Sequence, residues 1–413
     1  MLFRFCLYGF LKNQQYYDPF IILAFREKGL SFAMIGLLIG FRELSINVLE
    51  VPTGAVADVA GRRRSMVFSF LAYIGAFLVF GFSTETWMLF AAMFLFSLGE
   101  AFRTGTHKAI IFDWLAQEGR SDEKTRVYGQ TRSWSKMGSA ASVVIAALLV
   151  LVSDNYSYIF LFCIIPYAAN IANMLSYPAY LDGPRKRSGD GASVPATLWT
   201  GVRESVKNPG LRGLLAESMA FEGCHKVSKD YLQPLLETVA LSAPLLLGLA
   251  DRQRTAVLVG AVYLVLYVPG SLASRHADLF VRRTGSEERG ARRLWALETA
   301  AFGVLLAGVL CGLQAAAIVA FVALTVLENF WRPILIGRVA SRTDESHMAT
   351  VLSVESQAKT LFAAIVAPVL GLAVDTVQHA LPGSGWRLAP VGVLGLAVCL
   401  GMLLRRAGGQ EPG

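Results

Sequence analysis

Gly54-Ala55-Val56-Ala57-Asp58-Val59-Ala60-Gly61-Arg62-Arg63 stands between two long apolar stretches. One covers about residues 31–56 and the other 65–83. A helix needs roughly 20 apolar residues to cross the hydrocarbon core of a bilayer, so each stretch suffices for one crossing. The ten residues then read as the tight connection between two spanning helices. Gly54 and Gly61 allow a sharp turn or a close backbone approach. Asp58 can accept from the amides of a facing helix or from Arg62, a charge-assisted contact that is strong but breakable.

Outward from this point the pattern recurs. Apolar runs fall at about 3–26, 31–56, 65–83, 87–115, 128–152, 157–180, 211–236, 254–275, 292–312, 314–337, 347–374 and 386–405. Of 413 residues, 54% are hydrophobic and 16% charged, and the mean hydropathy is +0.50. Soluble domains carry about 25% charged residues. A soluble enzyme is therefore excluded, and so is an outer-membrane barrel, which would show alternating strands of about ten residues. Met1–Phe10 is apolar, but Lys12-Asn13-Gln14-Gln15 interrupts it and no small-x-small cleavage site follows. That differs from a signal peptide and is read as a retained first helix.

The net charge of +8 sits in the connectors rather than in a nucleic-acid-binding face. Arg62-Arg63-Arg64, Arg120/Lys124/Arg126, Arg185-Lys186-Arg187, Arg282-Arg283, Arg338/Arg342 and Arg405-Arg406 all fall on the side shared with the N-terminus. Arg26/Lys28 and Arg252/Arg254 are exceptions. Lys and Arg stay on the cytoplasmic side, so both termini are expected there. The one long polar connector, 182–209, divides the chain into an expected N-terminal bundle, 1–181, and a C-terminal bundle, 210–413. The five cysteines lie scattered within apolar runs without CxxC or metal-ligand spacing, which argues against disulfides and a zinc site.

The halves echo each other. Asp58 with Arg62-Arg63 recurs 220 positions later as Asp278 with Arg282-Arg283, although both glycines are lost. Lys136…Ala140-Ala141 matches Lys359…Ala363-Ala364, and Glu100-Ala101-Phe102 matches Glu328-Asn329-Phe330. Three echoes in the same order argue for a duplicated six-helix half, a known transporter design with the substrate site between the halves.

The Gly54-x-x-x-Asp58-x-x-Gly61-Arg62-Arg63 string, placed between the second and third runs, resembles the signature motif of the major facilitator superfamily. The 6+6 layout, the long middle connector and the degenerate second copy extend the resemblance over the whole chain. It implies an all-α membrane protein of 12 transmembrane helices in two six-helix bundles, working by alternating access. In that family the motif's Asp and Arg help to latch the cytoplasmic side closed. The matching gating positions are Gly54, Asp58, Gly61, Arg62 and Arg63, with Asp278, Arg282 and Arg283 as the weaker copy. The resemblance also implies that helices one, four, seven and ten, with parts of two, five, eight and eleven, surround the cavity.

Charges at bilayer depth are costly and face a bundle interior or a substrate path. Here they recur at helical spacing, where residues three, four and seven apart share a face. The seventh run carries Glu222, His225, Lys226 and Lys229, with Asp230 beside them. The fourth carries Glu100, Arg103 and His107, with Lys108 at the edge. The second offers Glu43, Asn47 and Glu50, the fifth Arg132 and Lys136, the tenth Glu328 and Arg332, and the eleventh Glu355 and Lys359. The first places Lys12, Gln15 and Tyr16 on one face and Asp18 on another. The third, sixth, ninth and twelfth runs read as nearly free of buried charge, as lipid-facing helices should be.

Counted with Arg42, ten cations face eight acids at these positions. The surplus favours an anionic or zwitterionic solute, because Arg and Lys bind carboxylate and phosphate well. Pairs four apart, Glu222–Lys226, Glu328–Arg332 and Glu355–Lys359, can equally be structural salt bridges. Lys108, Arg132 and Lys136 have no acid at such spacing and are the stronger candidates for solute contact. Asp18, Glu43, Glu100, Glu222, Asp230, Glu328 and Glu355 are the candidates to carry a coupling proton. No phosphate-cradling GxxxxGK[ST], nucleophile elbow or HExxH is present, so ATP-driven pumping and the usual enzyme chemistries have no support. The expectation is a monomeric, multi-pass inner (cell) membrane secondary transporter for a small polar solute, coupled to protons or another ion. Its partners are the solute and the lipid bilayer, with no cofactor, no metal and no nucleic acid. The alternative is a proton-coupled multidrug exporter, which needs an aromatic pocket with few cations. A third class, a non-transporting receptor on the same fold, would show no solute flux.

Overall fold

Capping side chains, glycines and two prolines mark several of the points where the apolar runs start and stop as helices. The computed structural model describes residues 1–182, 208–244, 246–343 and 345–408. The expected connector at 182–209 lies almost wholly outside the described residues, and so does the side chain of Asp58. The helices are α1 (Leu2–Lys12), α2 (Ile21–Glu27), α3 (Phe32–Ala60), α4 (Arg62–Phe82), α5 (Thr86–Arg103), α6 (Thr106–Gln117), α7 (Lys124–Ser153) and α8 (Ser157–Leu175). They continue as α9 (Pro209–Ser228), α10 (Leu232–Ser242), α11 (Asp251–Arg275), α12 (Ala277–Thr284), α13 (Glu287–Leu310), α14 (Gln314–Ala340), α15 (Glu345–Ala380) and α16 (Ala389–Gly408). No strand occurs among the described residues.

Local chemistry explains the boundaries. The Asn208 side chain accepts from the amides of Gly210 and Leu211, and Pro209 at the first helical position has no amide to satisfy. Ser286 accepts from the Arg289 amide to open α13, one residue after Gly285 closes α12 in the left-handed region, as helix C-termini favour. Gly61 holds α3 and α4 apart at φ +101°. A Cβ there would lie 3.0 Å from the Asp182 carboxylate, so the motif's second glycine is required by both backbone and space.

Nine helices among the described residues are continuous, long and apolar enough to cross a membrane. They correspond to every expected run except the first, fourth and seventh. Those three are each two helices placed end to end. Asn13–Tyr17 and a short turn at Asp18–Phe20 separate α1 from α2, where Pro19 removes a backbone donor. Thr104–Gly105 separates α5 from α6, with Gly105 at φ +77°. A single turn, Lys229–Tyr231, separates α9 from α10. The polar residues that interrupt these runs are the reason they read less cleanly as spans.

Two compact units are formed. The first contains the described residues of 1–29, 41–194 and 246–260. Between helices in lipid there is little hydrophobic driving force, so close packing of small residues and aromatic contacts do the work. Gly9 packs on Ser135 and Thr131, and a Cβ at Gly138 would meet the Phe10 backbone, which draws α1 tight against α7. Tyr73, Phe96, Tyr167 and Phe77 form an edge-to-face cluster with centroids 5.0–5.2 Å apart for three of the pairs. Such pairs contribute about 1 kcal/mol each beyond their burial. Arg252 pairs with Glu27 at 2.6 Å, and Gln253 donates to the Leu151 carbonyl at 2.9 Å.

The second unit contains the described residues of 30–40, 195–245 and 261–413. Gly36 and Gly40 press on the backbone of α15 at Ala367 and Ala364, and Gly371 presses on Phe32. The Asp375 carboxylate accepts from the amides of Phe32 and Ala33 at 3.0 and 2.7 Å, satisfying orphan donors at the start of α3. Phe221 stacks on Trp331 at 4.2 Å. Apolar side chains such as Val265, Val268, Ile365 and Val369 are each about 60% exposed along their helices, as a bilayer-facing surface requires.

Candidate functional site

The break in the fourth run shapes the site. Gly105 separates α5 from α6 with open space on one side: a Cβ there would meet nothing within 4 Å, and no side chain caps α6. Its neighbours define a pocket of about 430 Å³ in the first unit. Tyr8, Lys12 and Asn13 line it from α1 and its end, Arg103, Gly105, His107 and Lys108 from α5 and α6, and Tyr128, Thr131, Arg132, Ser135, Lys136 and Ser139 from α7. Six residues singled out by the sequence thus meet at one place: Lys12, Arg103, His107, Lys108, Arg132 and Lys136.

Their charges are not equally available. Arg103 pairs with Glu100, and Glu100 also accepts from the Tyr73 hydroxyl. His107 stacks on Tyr8 at 3.6 Å, and its Nε2 lies 3.2 Å from the Tyr177 hydroxyl. Lys108 lies 5.4 Å from the ring centroids of both Phe112 and Tyr128, a cation–π arrangement. Lys12, Lys108 and Arg132 make no ion pair with an acid among the described residues. A wall with unpaired cations, hydroxyls and an uncapped helix start suits an anion chemically.

The second unit treats its charges differently. Glu222 of α9 meets Arg332 of α14 at 3.1 Å and Lys359 of α15 at 2.5 Å. Glu355 of α15 meets Arg332 at 2.8 Å and Lys359 at 3.4 Å, and also accepts from the Ser218 hydroxyl. Two acids and two cations close on one another. Of the pairs expected four residues apart, Glu355–Lys359 is formed, whereas Glu222 reaches across to α14 and α15. Gln15, Tyr16, Asp18, Glu43, His225, Lys226, Lys229, Asp230 and Glu328 do not line the pocket of the first unit. Tyr16, His225 and Asp230 are buried, Glu43 pairs with Arg42 at 2.8 Å, and Lys229 lies 3.5 Å from Asp230. A larger cavity of about 490 Å³ elsewhere in the second unit is lined mainly by apolar residues and glycines. Its Arg387 donates to the Pro234 carbonyl and the Thr238 hydroxyl, which makes it the weaker candidate.

Gly61, Arg62 and Arg63 of the motif are tied into the first unit. Arg62 pairs with Asp113 at the far end of α6. The Arg63 amide donates to Asp182 at 3.0 Å and its guanidinium to the Tyr177 carbonyl at 2.7 Å. Gly54 has open space around it. In the degenerate copy, Asp278 and Arg282 pair at 2.9 Å on the surface, both about three-quarters exposed, and Arg283 is exposed. Instead, Arg338 ties Glu217 at 2.6 Å and Glu288 at 2.8 Å, and Glu288 also takes Arg342.

Several of these residues carry little or no signal in the sequence. Tyr8 lies one turn before Lys12, and Ser135 and Ser139 share the face of Arg132 and Lys136, so helical spacing held a signal for them. Glu298 held none. It is 1% exposed inside the second unit, on the ninth run that reads as free of buried charge. No group of three or more His, Cys, Asp or Glu that could hold a metal occurs among the described residues.

The nucleoside transporter NupG, as its D323A mutant, superposes with TM-score 0.77 at 12% identity, covering 98% of this chain and 99% of that one. A POT family transporter crystallised with a thioalcohol-conjugated peptide gives 0.69 at 14% identity, covering 99% and 96%. A bacterial homolog of the human lysosomal transporter Spinster, inward-facing and unoccupied, gives 0.70 at 14% identity, covering 98% and 95%. At such identities the likeness is one of fold. No curated protein is similar enough in sequence to match. The model of the Major Facilitator Superfamily matches residues 5–368, most of the chain. The chain accordingly belongs to the Major Facilitator Superfamily, and is a multi-pass membrane transporter rather than an enzyme.

Proposed function

We propose that this transporter carries a small anionic or zwitterionic solute by alternating access, and that the pocket between α1, α5–α6 and α7 holds the solute's anionic group. The observation that carries the reading is the imbalance at that pocket: Lys12, Lys108 and Arg132 line it without an acid partner among the described residues. Lys108 and Arg132 are exposed to the pocket and Lys12 is half-buried; cations at bilayer depth line substrate paths, and a solute anion is the partner that would answer them. The proposal includes twelve spans, nine continuous helices plus the three interrupted pairs, with both termini cytoplasmic in the cell membrane. A proton is the proposed coupling ion, taken up by a carboxyl of the spanning helices. An uncharged nucleoside leaves three cations unanswered, whereas a solute with a carboxylate or phosphate answers them. A cationic drug would be repelled by the same wall.

The test is uptake into proteoliposomes from a panel of organic acids, phosphate esters, amino acids, short peptides, nucleosides and cationic dyes. Carriage of an anionic or zwitterionic member that falls at least tenfold in Arg132→Gln and Lys12→Gln is expected. Transport of dyes alone, undiminished in both variants, would overturn the proposal.

A further inference from the structure

The region joining α12 to α13 gathers charge that the solute pocket does not use. Arg282, Arg283, Arg289, Arg292 and Arg293 fall within twelve residues, and all five are exposed. The acids among them are turned away. Glu288 accepts from Arg338 and Arg342 of the α14 end, Glu287 packs against Gly337, and Asp278 occupies Arg282. Arg283, Arg289, Arg292 and Arg293 therefore make no ion pair with an acid among the described residues.

Their position on the helix matters as much as their charge. Arg289, Arg292 and Arg293 share one face of α13, being three and four residues apart. The same face continues as Ala296, Leu297, Ala300 and Val304, all exposed, and Leu297 is 49% exposed. An exposed apolar stripe of this kind on a spanning helix suits contact with acyl chains. Arg293 stands about 6 Å below Leu297 along the axis, by the rise of an α-helix. The headgroup layer on each side of the hydrocarbon core is about 5–8 Å deep. With the hydrocarbon boundary at Leu297, Arg292 and Arg293 fall at headgroup level, and Arg289, about 12 Å below, reaches that level with its long side chain. α12 adds a foothold beside them: Phe280 is fixed against Phe330, with centroids 5.3 Å apart, while Leu279 is 42% exposed.

We propose that Arg283, Arg289, Arg292 and Arg293 form a binding site for the phosphate headgroup of an anionic phospholipid. The charge is complementary, and the site is continuous with the acyl-contacting stripe. A free phosphate would gain the charge but not the stripe, and these arginines line neither of the two cavities described above. The site is independent of which solute is carried.

Full-length protein reconstituted in phosphatidylcholine vesicles, with a trace of spin-labelled phosphatidylglycerol or spin-labelled phosphatidylcholine, reports the motionally restricted fraction of each lipid by electron paramagnetic resonance. A basic residue near an anionic surface favours association roughly fivefold. Wild-type protein is expected to prefer phosphatidylglycerol by about that factor or more, and added salt to weaken the preference. The R283Q/R292Q/R293Q variant is expected to lose it, while R283K/R292K/R293K, which keeps the charge, retains most of it. Retained preference in the glutamine variant, or none in the wild type, would overturn the site. Displacement of the restricted phosphatidylglycerol by soluble glycerol phosphate at matched concentration would overturn the lipid as its occupant. A glutamine variant that no longer folds leaves the lysine variant and the soluble competitor to decide.

Discussion

The two units hold the same kinds of charged residue at similar helical spacing and use them in opposite ways. In the second, Glu222 and Glu355 each touch both Arg332 and Lys359, so the charges cancel across three helices. In the first, Glu100 is taken by Arg103 and Tyr73, and Lys12, Lys108 and Arg132 remain around an open pocket. The lesson is that spacing along one helix says only where a charge points. The acid available on a neighbouring helix decides whether it becomes a strut or stays unpaired at a pocket.

The contrast can be broken most severely at the second unit. Glu355 is 1% exposed, and Glu355→Gln strands Arg332 and Lys359 beside a single acid. Breaking a buried pair costs about 3–5 kcal/mol, so a large fall in the melting temperature of the purified protein is expected. At the first unit, Arg132→Gln removes a cation that no acid there requires. Its melting temperature should hardly move, while solute affinity falls by about 1.5–3 kcal/mol, the worth of a hydrogen bond to a charged group, measured by calorimetry. If both variants lost stability equally, the distinction between strut and contact would fail.

Smaller effects sharpen the comparison. Gly105→Ala meets no neighbour, so its cost is confined to the left-handed backbone, about 1–2 kcal/mol, read by thermal unfolding. The two copies of the motif should separate in the same way. Asp278→Asn removes an exposed pair and should change stability by less than about 0.5 kcal/mol. Asp113→Asn removes the partner of the half-buried Arg62 and should cost more, measured side by side in one buffer.

Most of the fold was legible because the length of an apolar run is a local signal, independent of what the run packs against. The breaks were less so. Thr104–Gly105 lies inside an apolar run where glycine is common in membrane helices, and nothing in its neighbours announces a positive φ. The site was legible as a set of residues and not as a set of partnerships. Lys12, Arg103, His107, Lys108, Arg132 and Lys136 were all named from helical spacing and meet in one pocket. That Glu222 reaches Arg332, 110 positions away, depends on the crossing of helices, which no spacing along one chain encodes. Glu298 escaped for the opposite reason: one acid in an apolar helix has no periodic companion to draw attention to it.

The interruption at Thr104–Gly105 also sets how fast this wall of the pocket samples other conformations. In an unbroken spanning helix an amide deuteron enters only when a whole turn opens. Here the ladder is already cut, and the start of α6, beside the pocket, has no side-chain cap. Deuterium uptake in the peptide around residues 104–108 should be rapid in the empty protein and slow once a solute lies against it, a built-in reporter of occupancy that needs neither a label nor a transport assay.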